Sequence, residues 1–530
     1  MARVMKGSVE WNMHVKRASE SSNANLLQAG FDPERDSTSP RNQLKQQSRV
    51  EDYANSYRKG LCTPTQVLSK TITAIRKLEE TYGRIFVTLD ENQVMAQAAA
   101  SQERFAKGHP LSVFDGVPLA FKDMMAIAGH PSSEGSSILH PVADKDDTIV
   151  ARFRSRGAVI LGTTVMTEFG VTPLGWSAHW QGPRNAHSPS RFAGGSSSGS
   201  AVAVALGIVP VAIGVDGGGS IRIPAALEGV VGLAPTFGRV PSKIKDCVTS
   251  QMMKVGPLAA TIRDAALSFA VMAMPATVVE AGPSGDHYMN LYGGELPPIA
   301  DLRESVSLRP ELPLRGVRLG VFTHHFQDAD PVIVQQCETA LASLSALGAE
   351  RVEIAIPHMK SLSLAHAMSI SVEFSTNLGH LLSKGYHLEP STRIQLALGL
   401  SMSGTEFMAA NALRGWAFNY IKTEIFAKKN ITAIVSPTVG SLPPKMGEGV
   451  LESGESNTPL VMQLLKFIFL GNLLGFPGLS VPVGGSSSLM PIGLHLMADH
   501  WGESDLIKLS HAIEAHHTGP VSKDKLDALK

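Results

Sequence analysis

Cysteine is scarce in this chain. Only Cys62, Cys247 and Cys337 occur in 530 residues, far apart, with no Cys-x-x-Cys pair and no histidine at ligand spacing. An odd, sparse set excludes a disulfide framework and a zinc site, and it points to a reducing compartment. An excess of charge is missing as well: 47 basic side chains balance 47 acidic ones. With no Lys/Arg block to supply an electrostatic footprint, a nucleic-acid partner is not expected. The amino-terminal stretch lacks the apolar run of a secretory signal, and Glu10, Glu20, Asp32, Glu34 and Asp36 make it too acidic for a transit peptide. Residues 1–50 therefore read as a polar, poorly ordered leader, with a short ordered piece near Val9-Glu10-Trp11. An unbroken membrane span is absent too. Leu460 to Val483 is apolar, but Lys466, Asn472, Pro477 and Pro482 interrupt it, so it reads as a buried helix followed by a core strand. The expected location is cytoplasmic, with shallow contact at a membrane surface left open.

What the chain does have is a large apolar content, 43% of its residues, enough for a sizeable core. It also has three unusual segments. In Gly214-Val215-Asp216-Gly217-Gly218-Gly219-Ser220-Ile221-Arg222-Ile223-Pro224, three glycines free the backbone to turn several N–H groups into one small space. The serine that follows would sit beside those donors, as acyl transfer requires of a nucleophile and its oxyanion cradle. Upstream, Gly194-Gly195-Ser196-Ser197-Ser198-Gly199-Ser200 forms a second Gly/Ser loop ahead of a small-residue run. Further upstream, Asp115-Gly116-Val117-Pro118-Leu119-Ala120-Phe121-Lys122-Asp123 ends an apolar strand on a lysine. Strand alternation places Leu119 and Phe121 on one face, Ala120 and Lys122 on the other. Desolvation there lowers a lysine's pKa and lets it accept the proton that a serine nucleophile must lose. No loop ends in the Gly-Lys-Ser/Thr of a phosphate-binding P-loop, which weighs against a nucleotide-binding role.

These segments, in this order, resemble the amidase signature family of serine hydrolases. The resemblance runs from about Ala54 to about Glu514 and implies the family's α/β fold, a large mixed central sheet covered by helices on both faces. It implies Ser220 as the acyl-enzyme nucleophile and Lys122 as the general base. It makes Ser196 the bridging serine, which the family holds in a cis peptide and uses as a proton relay. The N–H groups of Gly217, Gly218, Gly219 and Ser220 would form the oxyanion hole, with Ser197, Asp216 and Arg222 in support. No metal and no cofactor are implied. The variant Val215-Asp216-Gly217-Gly218-Gly219-Ser220 and the carboxy-terminal Ser436-Pro437-Thr438 and Gly471–Gly484 segments resemble the plant-type fatty acid amide hydrolases. That likeness implies cleavage of N-acyl amines such as N-acylethanolamines, so the expected partner is a small lipid amide; a homodimer is left open. Two other activities compete: the glutaminase component of a tRNA-dependent amidotransferase, and a general short-chain or aromatic amidase.

Along the chain, Thr63, Pro64 and Gln66 predict a capped helix over Pro64–Tyr82, and Gly108-His109-Pro110 stops a second begun at Glu91. Helix and strand alternate through 148–161 and 201–215, which is α/β logic with Ser220 past a strand's carboxyl end. A surface-capping helix is expected over 263–274, an irregular connection over 281–314, strands at 317–322 and 352–356, and a helix at 331–347. Residues 51–520 are expected to form one catalytic domain, followed by a tail over 521–530. Within it, about 359–428 is a helical insertion. Its apolar set (Met368, Phe374, Leu378, Leu381, Leu382, Ile394, Leu396, Leu398, Met402, Phe407 and Met408) fits either core packing or the lining of an acyl-chain channel.

Overall fold

The computed structural model describes residues 49–241, 252–273, 314–485, 490–517 and 525–529. The leader up to residue 48, Cys247 and nearly all of the connection expected over 281–314 lie outside them. Helix α1 (Val50–Arg58) leads into α2 (Pro64–Tyr82), whose start is the one the sequence specifies. Thr63 Oγ1 accepts from the Gln66 N–H at 3.3 Å, and Gln66 Oε1 accepts from the Thr63 N–H at 2.9 Å. Helix α3 (Glu91–Ala106) precedes β1 (Pro118–Lys122), and α4 (Thr148–Ser155) precedes β2 (Val159–Thr164). Then come α5 (Ser198–Ala205), β3 (Val211–Asp216), α6 (Arg222–Glu228), β4 (Val231–Ala234) and β5 (Lys254–Ala259).

Helix α7 (Ile262–Met272) corrects an expectation. It is not a surface cap, because every residue but Arg263 is buried, including Asp264 and Ser268. Its apolar residues run round the whole helix, and a helix apolar on all sides is an interior one. Next are β6 (Arg318–Val321), α8 (Pro331–Ala346) and β7 (Glu350–Glu353), the last two residues earlier than the Val352 start the pattern suggests. The helical stretch expected from about residue 359 follows as α9 (Met359–Leu378), α10 (Pro390–Ser401) and α11 (Gly404–Tyr420). After β8 (Ala433–Pro437), the apolar stretch from Leu460 yields two short helices, α12 (Thr458–Leu465) and α13 (Phe469–Leu474), before β9 (Gly478–Gly485). Among the described residues no helix is long and apolar enough to cross a membrane. Strand β10 (Pro491–Met497) and α14 (Glu503–His516) complete the order.

The described strands form one ten-stranded sheet in the order β2-β1-β3-β5-β4-β9-β10-β8-β6-β7. It is parallel at its two ends (β2-β1-β3 and β8-β6-β7) and antiparallel between. Strands β1, β2, β3, β5, β8 and β10 bury every residue, so both faces of the sheet are covered there. One main apolar core runs through the sheet from Val50 to Ala528. The last described residues join it: the Leu526 N–H donates to the Leu206 carbonyl at 2.8 Å.

Parallel pairing of β1 with β3 sets Leu119, Ala120 and Phe121 opposite Val211, Ala212 and Ile213. Their carboxyl ends therefore emerge side by side, one ending on Lys122 and the other on Asp216, just ahead of the three glycines.

Candidate active site

Lys122 is buried, and its Nζ lies 2.6 Å from Ser196 Oγ and 3.2 Å from the carbonyl oxygen of Val215. Ser196 follows a cis Gly195–Ser196 peptide. The next residue clamps the two loops together. The Ser197 N–H donates to the Ser220 carbonyl at 3.2 Å, and Ser197 Oγ bridges the N–H and C=O of Val215 at 3.3 and 3.2 Å. Ser220 itself is half-buried. It opens, with Lys122, Ser196, Gly217 and Gly218, on a cavity of about 380 Å³.

Beneath the glycines lies a fully buried ion pair. Arg222 Nε and Nη2 donate to Asp216 Oδ2 and Oδ1 at 3.0 and 3.1 Å, with neither side chain exposed. The Ile221 N–H donates to Oδ2 at 3.1 Å, and Asn472 Nδ2 donates to Oδ1 and to the Asp216 carbonyl, both at 2.9 Å. Burial alone would push the Asp216 carboxyl up. The Arg222 charge and the hydrogen bonds from Arg222, Asn472 and Ile221 overcome it and hold the group well below the usual carboxylate range. Arg222 Nη1 reaches the Ile468 carbonyl at 3.1 Å and His495 Nε2 at 3.0 Å; burial, and next the Arg222 charge, keep that imidazole neutral. Lys254, opposite Asp216 on β5, buries its amine against the carbonyls of Gly471 and Phe476. Burial lowers its pKa strongly.

Gly219 departs from the expected oxyanion hole. Its N–H donates to Asp216 Oδ1 at 2.6 Å, and it is not on the cavity wall. Its φ of +132° and the 2.0 Å gap between a Cβ there and Ile468 Cδ1 explain why only glycine fits. The amides of Gly217, Gly218 and Ser220 have no partner among the described residues, so the backbone donors left for a ligand are those three. Asp123, beside the lysine, serves the local fold. It accepts from the Ser133 N–H and Oγ at 2.8 and 2.6 Å, and burial raises it to about 6.

Helices α9 and α10 line the cavity together with the glycine loop and form its roof. Met368, Phe374, Ile394, Leu398 and Met402 line the cavity, while Leu378, Leu381 and Leu396 are core residues and Leu382 and Met408 face outward. Helix α10 is tied down at its start. The Glu389 N–H donates to Glu168 Oε2 at 2.7 Å, Glu389 Oε1 accepts from the Ala178 N–H at 2.8 Å, and His179 Nε2 lies 3.0 Å from Glu168 Oε1. Burial, reinforced by the nearby Glu168 charge, pushes Glu389 up to about 7. Sequence reading missed this anchor, and it missed His366 of α9, which is buried on the cavity wall against Gly218. Lone Glu and His residues within a helical stretch carry no spacing signal that would have found them. Among the described residues, no His/Cys/Asp/Glu group is arranged to hold a metal ion.

Residues 66–507 match the Amidase family. The chain is 36% identical over 476 residues to a fatty acid amide hydrolase of Medicago truncatula, covering 88% of this chain and 76% of that protein. It is 35% identical over 490 residues to a fatty acid amide hydrolase of Arabidopsis thaliana, covering 90% and 77%. A glutamyl-tRNA(Gln) amidotransferase component of Koribacter versatilis is 32% identical, with 84% of this chain and 95% of that protein covered. The fold is similar to that of a bacterial aryl acylamidase of the amidase signature enzymes, with a TM-score of 0.75, 25% identity, and 89% and 96% of the two chains superposed.

Proposed function

The chain belongs to the amidase family, and from that membership we propose that it hydrolyses the amide bond of long-chain fatty acid amides such as N-acylethanolamines. In this reading Ser220 attacks the carbonyl carbon, and its proton passes through the Ser196 hydroxyl to Lys122. A hydroxyl can accept and donate at once, so Ser196 can serve as the relay. The amides of Gly217, Gly218 and Ser220 receive the oxyanion. The proton returns by the same route to the departing amine, and water then releases the fatty acid from the Ser220 ester. Ser197, Asp216 and Arg222 act by fixing the loops. Residues 51–520 work as one catalytic unit, with 359–428 as its roof.

The observation that carries the reading is the contact of Lys122 with Ser196 on the same cavity as Ser220. That cavity continues between Phe374, Ile394, Leu398, Met402, Leu465 and Phe469, an apolar wall suited to a flexible acyl chain. A glutaminase would need a polar pocket for its amino acid. The mouth favours delivery from a membrane surface: Leu364, Ile394, Leu398 and Met462 line the cavity and yet are 61%, 49%, 49% and 41% exposed. The deciding experiment gives the purified chain glutamine, a short aromatic amide and oleoyl ethanolamide. Turnover concentrated on oleoyl ethanolamide is expected; preference for glutamine would end the reading.

A further inference from the structure

We propose that Glu168 is a positioning residue for the reaction: from outside the cavity, its carboxylate fixes the loop that holds the Ser196 hydroxyl in line between Ser220 and Lys122. The inference rests on the proton relay of the reading above and extends it to a residue that does not touch substrate.

Glu168 is 1% exposed and is not on the cavity wall. The residues after it are, because Phe169, Gly170, Val171, Thr172 and Pro173 all line the cavity. The same loop grips the bridging serine at three backbone positions. The Thr167 N–H donates to the Ser196 carbonyl at 3.4 Å. The N–H groups of Gly195 and Gly194 donate to the carbonyls of Pro173 and Leu174 at 2.7 and 2.9 Å. Gly170 packs against the relay oxygen itself: a Cβ there would stand 3.2 Å from Ser196 Oγ. A shift of this loop is therefore a shift of the hydroxyl that Lys122 contacts at 2.6 Å.

Two observations show the loop held under constraint. Phe169 has a φ of +48°, a left-handed conformation that a bulky residue keeps only where its surroundings enforce it. Its N–H donates to the Glu134 carbonyl at 2.7 Å. The carboxylate one residue earlier supplies the second constraint. Its Oε1 lies 3.0 Å from His179 Nε2, and its Oε2 accepts from the Glu389 N–H at 2.7 Å, so each oxygen is tied to a different segment. The hydrogen bond from Glu168, opposed by burial, raises the His179 imidazole and makes that contact charge-assisted. Apolar packing would fill this position without desolvating a charge; a carboxylate held at both oxygens adds a fixed direction. Glu389 stands just ahead of α10, so one group seats both the roof and the relay.

The test compares Glu168→Leu, which fills the volume without an acceptor, with Glu168→Gln, which keeps the length and one acceptor. Each is read by the rate at which a short-chain fluorophosphonate labels Ser220 and by turnover of oleoyl ethanolamide. The Leu variant should label roughly 10²-fold more slowly, the scale of a misplaced reacting group, and lose kcat in proportion. The Gln variant should regain about tenfold of that loss. A folded Leu variant labelled at the wild-type rate would overturn the proposal. So would a loss confined to KM for oleoyl ethanolamide, because the carboxylate would then serve the roof alone. If the Leu variant does not fold, the Gln variant decides: labelling about tenfold slower supports the proposal, and the wild-type rate overturns it. Wild type not labelled at Ser220 would remove the functional reading and this inference together. Labelled wild type with an equally reactive Leu variant would remove this inference alone.

Discussion

Below the cavity, Asp216 and Arg222 are wholly enclosed and held by a closed set of hydrogen bonds; above it, Leu398 and Ile394 stand half in solvent with no such fixing. The floor is built from charged groups that are tolerable only because the network is complete. The roof is built from apolar side chains on helices, with α10 tied to the body at its start by the Glu168–Glu389–His179 cluster. The difference separates two tasks. Bond-breaking atoms need fixed positions, whereas an acyl chain needs apolar surface that can adjust.

Substitutions on the two sides should therefore fail in different ways. The largest effect belongs to the floor: Ser220→Ala and Lys122→Ala should each lose at least ~10³-fold in kcat, checked by steady-state turnover of oleoyl ethanolamide. Arg222→Met comes next. It strands the Asp216 charge in the interior and should destabilise the fold by about 3–5 kcal/mol, read as a lower denaturant midpoint. On the roof, Leu398→Glu should leave stability and kcat on a short amide unchanged and raise KM for the long-chain amide about tenfold, the scale of one lost apolar contact. A large kcat loss there would erase the contrast. The smallest effect is pH-dependent. Glu389 has a folded-state pKa raised from 4.5 to about 7, so the folded state favours its protonated form and loses stability as pH rises through that window. Glu389→Gln removes the titration, and thermal melts should show the variant matching wild type near pH 4 and exceeding it above pH 7.

Legibility in the sequence follows the same division. Where local chemistry dictates structure, the residues announce it: Thr63 and Gln66 mark the start of α2, and Gly157 follows the end of α4. The three motifs of the floor are equally visible, because turns and buried hydroxyls tolerate few substitutes. Tertiary packing hid the rest. Helix α7 looks like a cap in isolation and is interior because α14 and β5 pack against it. The apolar residues of 359–428 divide among core, cavity and exterior, and an even scatter of Leu, Ile and Met does not reveal which is which. Gly219 turned out to be spent on Asp216 because the carboxylate three residues earlier curls back to its N–H, a detail of loop geometry that composition does not encode.

The central claim, that Ser220 carries the acyl group under the action of Lys122, is tested most directly by covalent labelling. The protein is treated with a long-chain fluorophosphonate, and its peptides are read by mass spectrometry. The account predicts one adduct, on the peptide holding Ser220, absent from Ser220→Ala and formed far more slowly in Lys122→Ala. An adduct on another residue, or one formed at the wild-type rate without Lys122, would contradict it.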